Sequence, residues 1–328
     1  MGKTKIEWTR SDDGTLGRTW NPIRGCSVVS EGCRNCYAMN FATRFAKEGE
    51  PYEGLAYRNS SGAHWTGKVE FIEKHLTDPL RWRKPARVFV NSMSDLFHES
   101  IPDEWIDKIF AVMAYAPQHV FQVLTKRPER MLSYLSCREG RRVVIDGLGA
   151  IWTHTVSWPL PNVHLGVSAE DQKTANERIP LLLETPAAVR WVSAEPLIGP
   201  IDFWHDTEIG PMSFLRNDYD LGSEKVNKLD WVVVGGESGP GARSLDLNWI
   251  KSIVRQCQGA NVPVFVKQLG CRPWWDGIGV GPPGDHIYLE SKVMNGRVGW
   301  QFDCMKDRKG GDISEWPLDL QVRQFPTI

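Results

Sequence analysis

The chain has 328 residues, with 39 Lys and Arg against 40 Asp and Glu, a net charge of −1 and 41% hydrophobic residues. That balance excludes the disordered, collagen-like and membrane-spanning classes, and no field of the whole molecule draws it onto nucleic acid or a membrane surface. The length admits one domain or two, with a core large enough to need no staples.

In chain order, a first strand is expected to end at Ile23-Arg24-Gly25. Short apolar, β-branched runs follow at Val88–Val90, Val120–Leu124, Val163–Val167, Val189–Val192, Trp231–Val234 and Val262–Val266, and they read as strands buried on both faces. Helical periodicity fills the intervals at Asp103–Ala116, Pro128–Leu135, Asp171–Leu183 and Leu247–Cys257. This βαβα alternation predicts an α/β fold with parallel strands, and a complete or partial (βα) barrel is the leading expectation. An open doubly wound sheet is the alternative, because strand order is not written in a sequence. One domain over residues 1–328 is expected, with insertions near 200–228 and 270–311, where Gly, Pro, Asp and Asn break the alternation. Trp316–Ile328 carries Leu318, Leu320, Val322 and Phe325 and is expected to pack on the barrel.

Both architectures place chemistry at the carboxyl ends of their strands, and those ends are polar here. They read Asn91-Ser92-Met93-Ser94-Asp95, Thr125-Lys126-Arg127, Ser168-Ala169-Glu170-Asp171, Ser193-Ala194-Glu195, Gly235-Gly236-Glu237-Ser238 and Lys267-Gln268. A polar site at a barrel mouth fits them all. For Ser94, Asp95 and Asp171, capping of the next helix is an equal reading.

Three of the seven Cys crowd at Cys26, Cys33 and Cys36; the others stand apart at 137, 257, 271 and 304. This is no disulfide scaffold, and the opening MGKTKIEWTRSDDG has no apolar signal region. A cytoplasmic protein with reduced thiols and no membrane partner is expected. The trio forms C-x6-C-x2-C, with Gly25 and Gly32 to let the backbone turn. Thiolates so spaced can converge on a soft metal centre, and three leave one coordination position open. Structural zinc wants a fourth ligand, and neither His64 nor Cys137 stands at a regular spacing. A [4Fe-4S] cluster with one uncoordinated iron can instead bind S-adenosylmethionine and reduce it to a radical. Fifteen Trp is a high count. Core use is the favoured reading, although Trp8, Trp20, Trp65 and Trp82, beside polar residues, would also wall a pocket for a flat ligand.

The segments Thr19-Trp20-Asn21-Pro22, Gly32-Cys33-Arg34-Asn35-Cys36-Tyr37-Ala38, Pro79-Leu80-Arg81-Trp82, Asn91-Ser92-Met93-Ser94-Asp95-Leu96-Phe97 and Val234-Gly235-Gly236-Glu237-Ser238 carry a resemblance over nearly the whole chain. It resembles a phage-associated family of unknown function that is similar to three-cysteine radical S-adenosylmethionine proteins, and more distantly spore photoproduct lyase. The resemblance implies a radical S-adenosylmethionine type of (βα) barrel, a [4Fe-4S] cluster on Cys26, Cys33 and Cys36, S-adenosylmethionine on the fourth iron, and an external electron donor. It also implies a role near cluster or substrate for Ser92, Ser94 and Asp95. The usual superfamily spacing is C-x3-C-x2-C, and here the first gap is six.

Gly235 and Gly236 allow close backbone approach, and Glu237 beside them is a candidate for the ammonium group of S-adenosylmethionine, with Lys267 a further cofactor contact. Arg243 or Glu195 in a structural ion-pair arrangement is the alternative for Glu237. From Arg81 to Arg142 eleven Lys and Arg face seven acids, a local +4 that suits a nucleotide or nucleic acid, or simply a solvated face. Two functions follow: a radical enzyme on an unidentified substrate, possible substrates being a nucleobase or nucleic acid, or a non-catalytic nucleic-acid-binding protein stabilised by zinc or a cluster.

Overall fold

The computed structural model describes residues 2–11, 13–136, 157–207, 210–216, 227–276, 288–294, 296–302 and 305–326. Seven parallel strands follow one another in chain order: β1 (Arg18–Trp20), β2 (Arg87–Val90), β3 (Val120–Thr125), β4 (Val163–Ser168), β5 (Val189–Ala194), β6 (Trp231–Gly235) and β7 (Val264–Gln268). The order never reverses, so there is no switch point of the doubly wound kind. The mixed α/β chain is thus compatible with a partial (βα) barrel. Helices α1 (Tyr37–Ala42), α2 (Asp103–Ala114), α3 (Pro128–Ser136), α4 (Gln172–Glu184) and α5 (Leu247–Gly259) fill the connections. No helix among the described residues is long and apolar enough to cross a membrane.

The first strand ends earlier than the sequence predicts. Pro22 has no amide hydrogen for a ladder, so the chain leaves the sheet after Trp20, whose carbonyl accepts from the Asn91 amide at 2.7 Å. Ile23–Arg24 pairs instead, antiparallel, with Glu70–Phe71. Gly25 then turns at φ +86°, where a Cβ would stand 2.1 Å from the Lys68 carbonyl oxygen. Only glycine opens the cysteine loop this way.

The chain packs as two compact units, Met1–Val167 with Leu181–Arg190, and Ser168–Pro180 with Trp191–Ile328. In the first, Val163 and Leu165 of β4 line a small apolar cavity together with Phe110, Leu135, Trp158 and Leu160. Side chains alternate along a strand, so the opposite face carries the level row Thr19, Phe89, Gln122 and His164.

In the second unit β6 lies between β5 and β7, and Trp191, Trp231 and Phe265 fill the core. The regions expected as insertions hold strands where they are described. Trp204–Thr207 pairs with Gly210–Ser213, and Pro273–Trp275, Arg297–Phe302 and Tyr288–Met294 join Leu245–Asp246 in a four-stranded sheet. Residues 217–226 and 277–287 lie outside the description. Frequent Gly and Pro hid these strands, because β-pairing depends on partners distant in sequence.

The tail packs in part as expected. Trp316 and Leu320 are fully buried, Phe325 meets Phe265 at 5.3 Å, and the Val266 amide donates to the Val322 carbonyl. Leu318, however, is 73% exposed, because the short turn Leu318–Leu320 directs only its last side chain inward. Leu320→Ala should therefore cost about 2–5 kcal/mol and Leu318→Ala under about 0.5 kcal/mol in urea denaturation. Equal losses would contradict this packing.

Candidate functional site

The cysteine loop belongs to the first unit. Past Gly25, which bridges to Ser94, come Cys26, a 3-10 turn Glu31–Cys33, and Cys36 at the start of α1. The Cys33 amide donates to Ser30 and the Cys36 amide to Cys33, which coils the loop. Burial pushes the Cys26 thiol up to about 12; Asp95 adds to the effect, Arg127 opposes it, and Cys36 and Cys33 contribute too. Burial also raises Cys36, while the amides of Met39 and Ala38 favour its thiolate without closing a full capping hydrogen bond. The three sulfurs therefore lie within electrostatic reach of one another. Among the described residues no three His, Cys, Asp or Glu side chains are arranged to hold a single metal ion.

Beside this loop lies a network that the sequence reading missed. Asp95 accepts from the Thr125 hydroxyl at 2.7 Å, from the amides of Phe97 and Lys126 at 3.0 Å, and from Arg127 Nη1 at 3.0 Å. Arg127 continues to Glu99 at 2.6 Å and to the Ser27 hydroxyl at 2.6 Å. Ser27, next to Cys26, donates to Glu99 at 3.1 Å and lies 3.0 Å from His98 Nε2. Desolvation raises the Glu99 carboxyl, but its own amide and Arg127 outweigh this and hold it at about 2. Burial, then Arg127, lowers His98, which favours its neutral form. The signal for this network was present in Thr125-Lys126-Arg127 at the end of β3.

Ser92 and Ser94 stand on the same side of the unit, tied to its frame. Ser92 donates to Asn21 Oδ1 at 3.1 Å and Ser94 to the Ile23 carbonyl at 3.1 Å, while Tyr37 donates to the Ser92 carbonyl at 2.6 Å. Asp95 does not cap a helix: the next one, α2, begins at Asp103 behind Pro102. Asp171 does cap, accepting from the Thr174 amide at 2.9 Å.

The remaining predicted contacts belong to the second unit. Glu237 receives Arg243 through Nη2 at 2.6 Å, Nε at 3.1 Å and the backbone amide at 2.9 Å, which is the structural pairing named as its alternative. Lys267 pairs with Glu195 at 3.1 Å. A Cβ on Gly236 would stand 2.6 Å from the Leu269 carbonyl, so packing alone requires that glycine, whereas one on Gly235 would stand 2.6 Å from the movable Glu195 Oε1 and 3.1 Å from the Gln268 carbonyl. A buried pair of Arg178 with Glu170, at 3.1 Å, was not foreseen.

The basic region Arg81–Arg142 is partly tied down. Arg87 donates to the Arg10 carbonyl, Arg127 serves Asp95, and Arg130 pairs with Asp103. Arg138, Arg141 and Arg142 lie outside the described residues. Of the four tryptophans, Trp8 and Trp20 are core residues, Trp65 packs beside Ala38 and Met93, and Trp82 meets His119 edge-on. Trp65 and Trp82 are only partly buried.

Because Asp95 joins four donors, one of them the Arg127 cation, Asp95→Ala should cost about 3 kcal/mol in urea denaturation. A loss of about 1 kcal/mol, the worth of a helix cap, would contradict the network.

No curated protein and no solved structure matches the chain. A family model described as protein of unknown function (DUF5131) matches residues 3–303. The chain, with its cysteine loop and the Asp95 network beside it, belongs to the DUF5131 family.

Proposed function

We propose that this protein is an S-adenosylmethionine-dependent radical enzyme whose [4Fe-4S] cluster is held by Cys26, Cys33 and Cys36, in a barrel of the radical S-adenosylmethionine type. The supporting observation is that Cys26, Cys33 and Cys36 stand on one hydrogen-bonded, coiled loop of the first unit. A zinc ion, with Zn–S bonds of about 2.3 Å, needs its thiolates gathered at one point and a fourth ligand. A cubane spreads its thiolates over a wider body and needs only three from the chain.

When bound, the cluster would supply the electron that cleaves S-adenosylmethionine to a reactive radical. Of the chain's own residues, Arg127 keeps a cation near Cys26 against the charge of Asp95, and Ser27 anchors that guanidinium. The amides of Ala38 and Met39 face the Cys36 sulfur, where they would temper its charge. Val28, Val29 and Tyr37 are exposed beside the cysteines and give an external electron donor an approach. Glu237 already accepts three hydrogen bonds from Arg243, and the cofactor ammonium would join it as a further donor.

Protein purified anaerobically should be brown, with iron and acid-labile sulfide in equal amounts. Cys33→Ala should lose both, while Cys271→Ala, whose sulfur lies against the Gly239 carbonyl, should keep them. A full complement in Cys33→Ala, or a colourless protein containing zinc, would overturn the reading.

A further inference from the structure

The first unit carries a second polar feature that neither the cysteine loop nor the Asp95 network uses. On the face of the sheet opposite the apolar cavity, His164 of β4 stands level with Gln122 of β3 and Phe89 of β2, and Asn91 follows at the carboxyl end of β2. His164, Gln122 and Asn91 are 1%, 2% and 3% exposed. Both ring nitrogens of His164, both amide atoms of Asn91 and Oε1 of Gln122 have no hydrogen-bond partner among the described residues. A buried polar atom left unpaired bears its whole desolvation cost, and native structures hold few of them. Five such atoms, on two adjacent strands and at the end of a third, call for a partner that the described residues do not supply.

The surroundings define that partner. Gln122 Nε2 donates to the Trp8 carbonyl at 3.4 Å, and the Trp8 ring packs edge-on against Phe89 at 4.8 Å, closing the face at its amino-terminal end. Gly166, level with Leu124, adds no side chain beyond His164. Burial, then Arg87, pushes the imidazole down to about 4, so it presents one donor and one acceptor without charge. Arg87, the cation nearest in character to a phosphate ligand, is held on the Arg10 carbonyl. The free groups are therefore the Asn91 amide, the Gln122 carbonyl oxygen and a neutral imidazole. Such planar groups match an uncharged heterocycle whose edge alternates donors and acceptors, as side-chain amides read bases in nucleic acids and enzymes read flipped bases.

We propose that Asn91, Gln122 and His164 form a nucleobase-binding face, and that the base it holds is the substrate's. As a statement about the substrate this rests on the proposed function; binding of the base itself does not require the cluster. The full chain, purified anaerobically with labelled histidine, is titrated with adenosine, guanosine, cytidine and uridine while the imidazole nitrogen shifts of His164 are followed, assigned by their loss in His164→Leu. At least one nucleoside should move them, and saturating S-adenosylmethionine should not abolish the effect. Asn91→Gly, which suits the backbone there (φ +55°), should weaken that nucleoside roughly 5- to 150-fold. No shift with any nucleoside at millimolar concentration would overturn the proposal and leave ordered water as the partner of these atoms. A shift that S-adenosylmethionine abolishes would overturn the assignment to substrate. Iron and sulfide measured on the same sample report separately whether the cluster reading holds.

Discussion

The first unit is organised around one buried carboxylate. Asp95 draws the end of β2 onto the end of β3 through Thr125 and the Lys126 amide, and its charge fixes Arg127. Arg127 in turn grips Ser27, the residue beside Cys26. One anion thus sets the position of two strand ends and the entrance of the cysteine loop. A charge buried to this degree is tolerable only with its donors in place, and removing it strands a cation at the same point. This is why the polar run after Val90 is a frame first and a candidate contact surface second.

The electrostatic balance around Cys26 follows from that frame. Burial and Asp95 make its thiolate costly, and Arg127 recovers part of the cost. A loop that keeps three thiols near one another under such a penalty suits an electropositive inorganic group, which removes the penalty by neutralising the thiolates. The second unit shows how similar polar strand ends behave without this arrangement. There Glu195 meets Lys267, Glu237 meets Arg243 and Glu170 meets Arg178, each carboxylate matched to a cation.

Much of this architecture was legible in the sequence. Continuous apolar runs such as Val163–Val167 can hardly be anything but strands buried on both faces, and the intervals between them gave the helices within a few residues. The first strand was misplaced because neither Arg18–Trp20 nor Ile23-Arg24 forms a continuous apolar run, and only Pro22 and the turn at Gly25 reveal where the ladder stops. The cysteine spacing was plain to read. The Asp95 network was not, since its members lie at 27, 95, 99, 125 and 127 and meet only when β2 and β3 are paired. Nor does a sequence reveal that the side chains of Asn91 and His164 find no partner among the described residues, because satisfaction of a buried atom is a property of its neighbours.

The account's central claim is that the cysteine trio holds a redox-active cluster with a position open to S-adenosylmethionine. Electron paramagnetic resonance of the anaerobically purified, dithionite-reduced protein, recorded with and without S-adenosylmethionine, tests it most directly. The account predicts a reduced cluster signal whose shape changes when S-adenosylmethionine is added, because the cofactor joins the uncoordinated iron. A protein with no cluster signal, or a signal indifferent to S-adenosylmethionine, would contradict it.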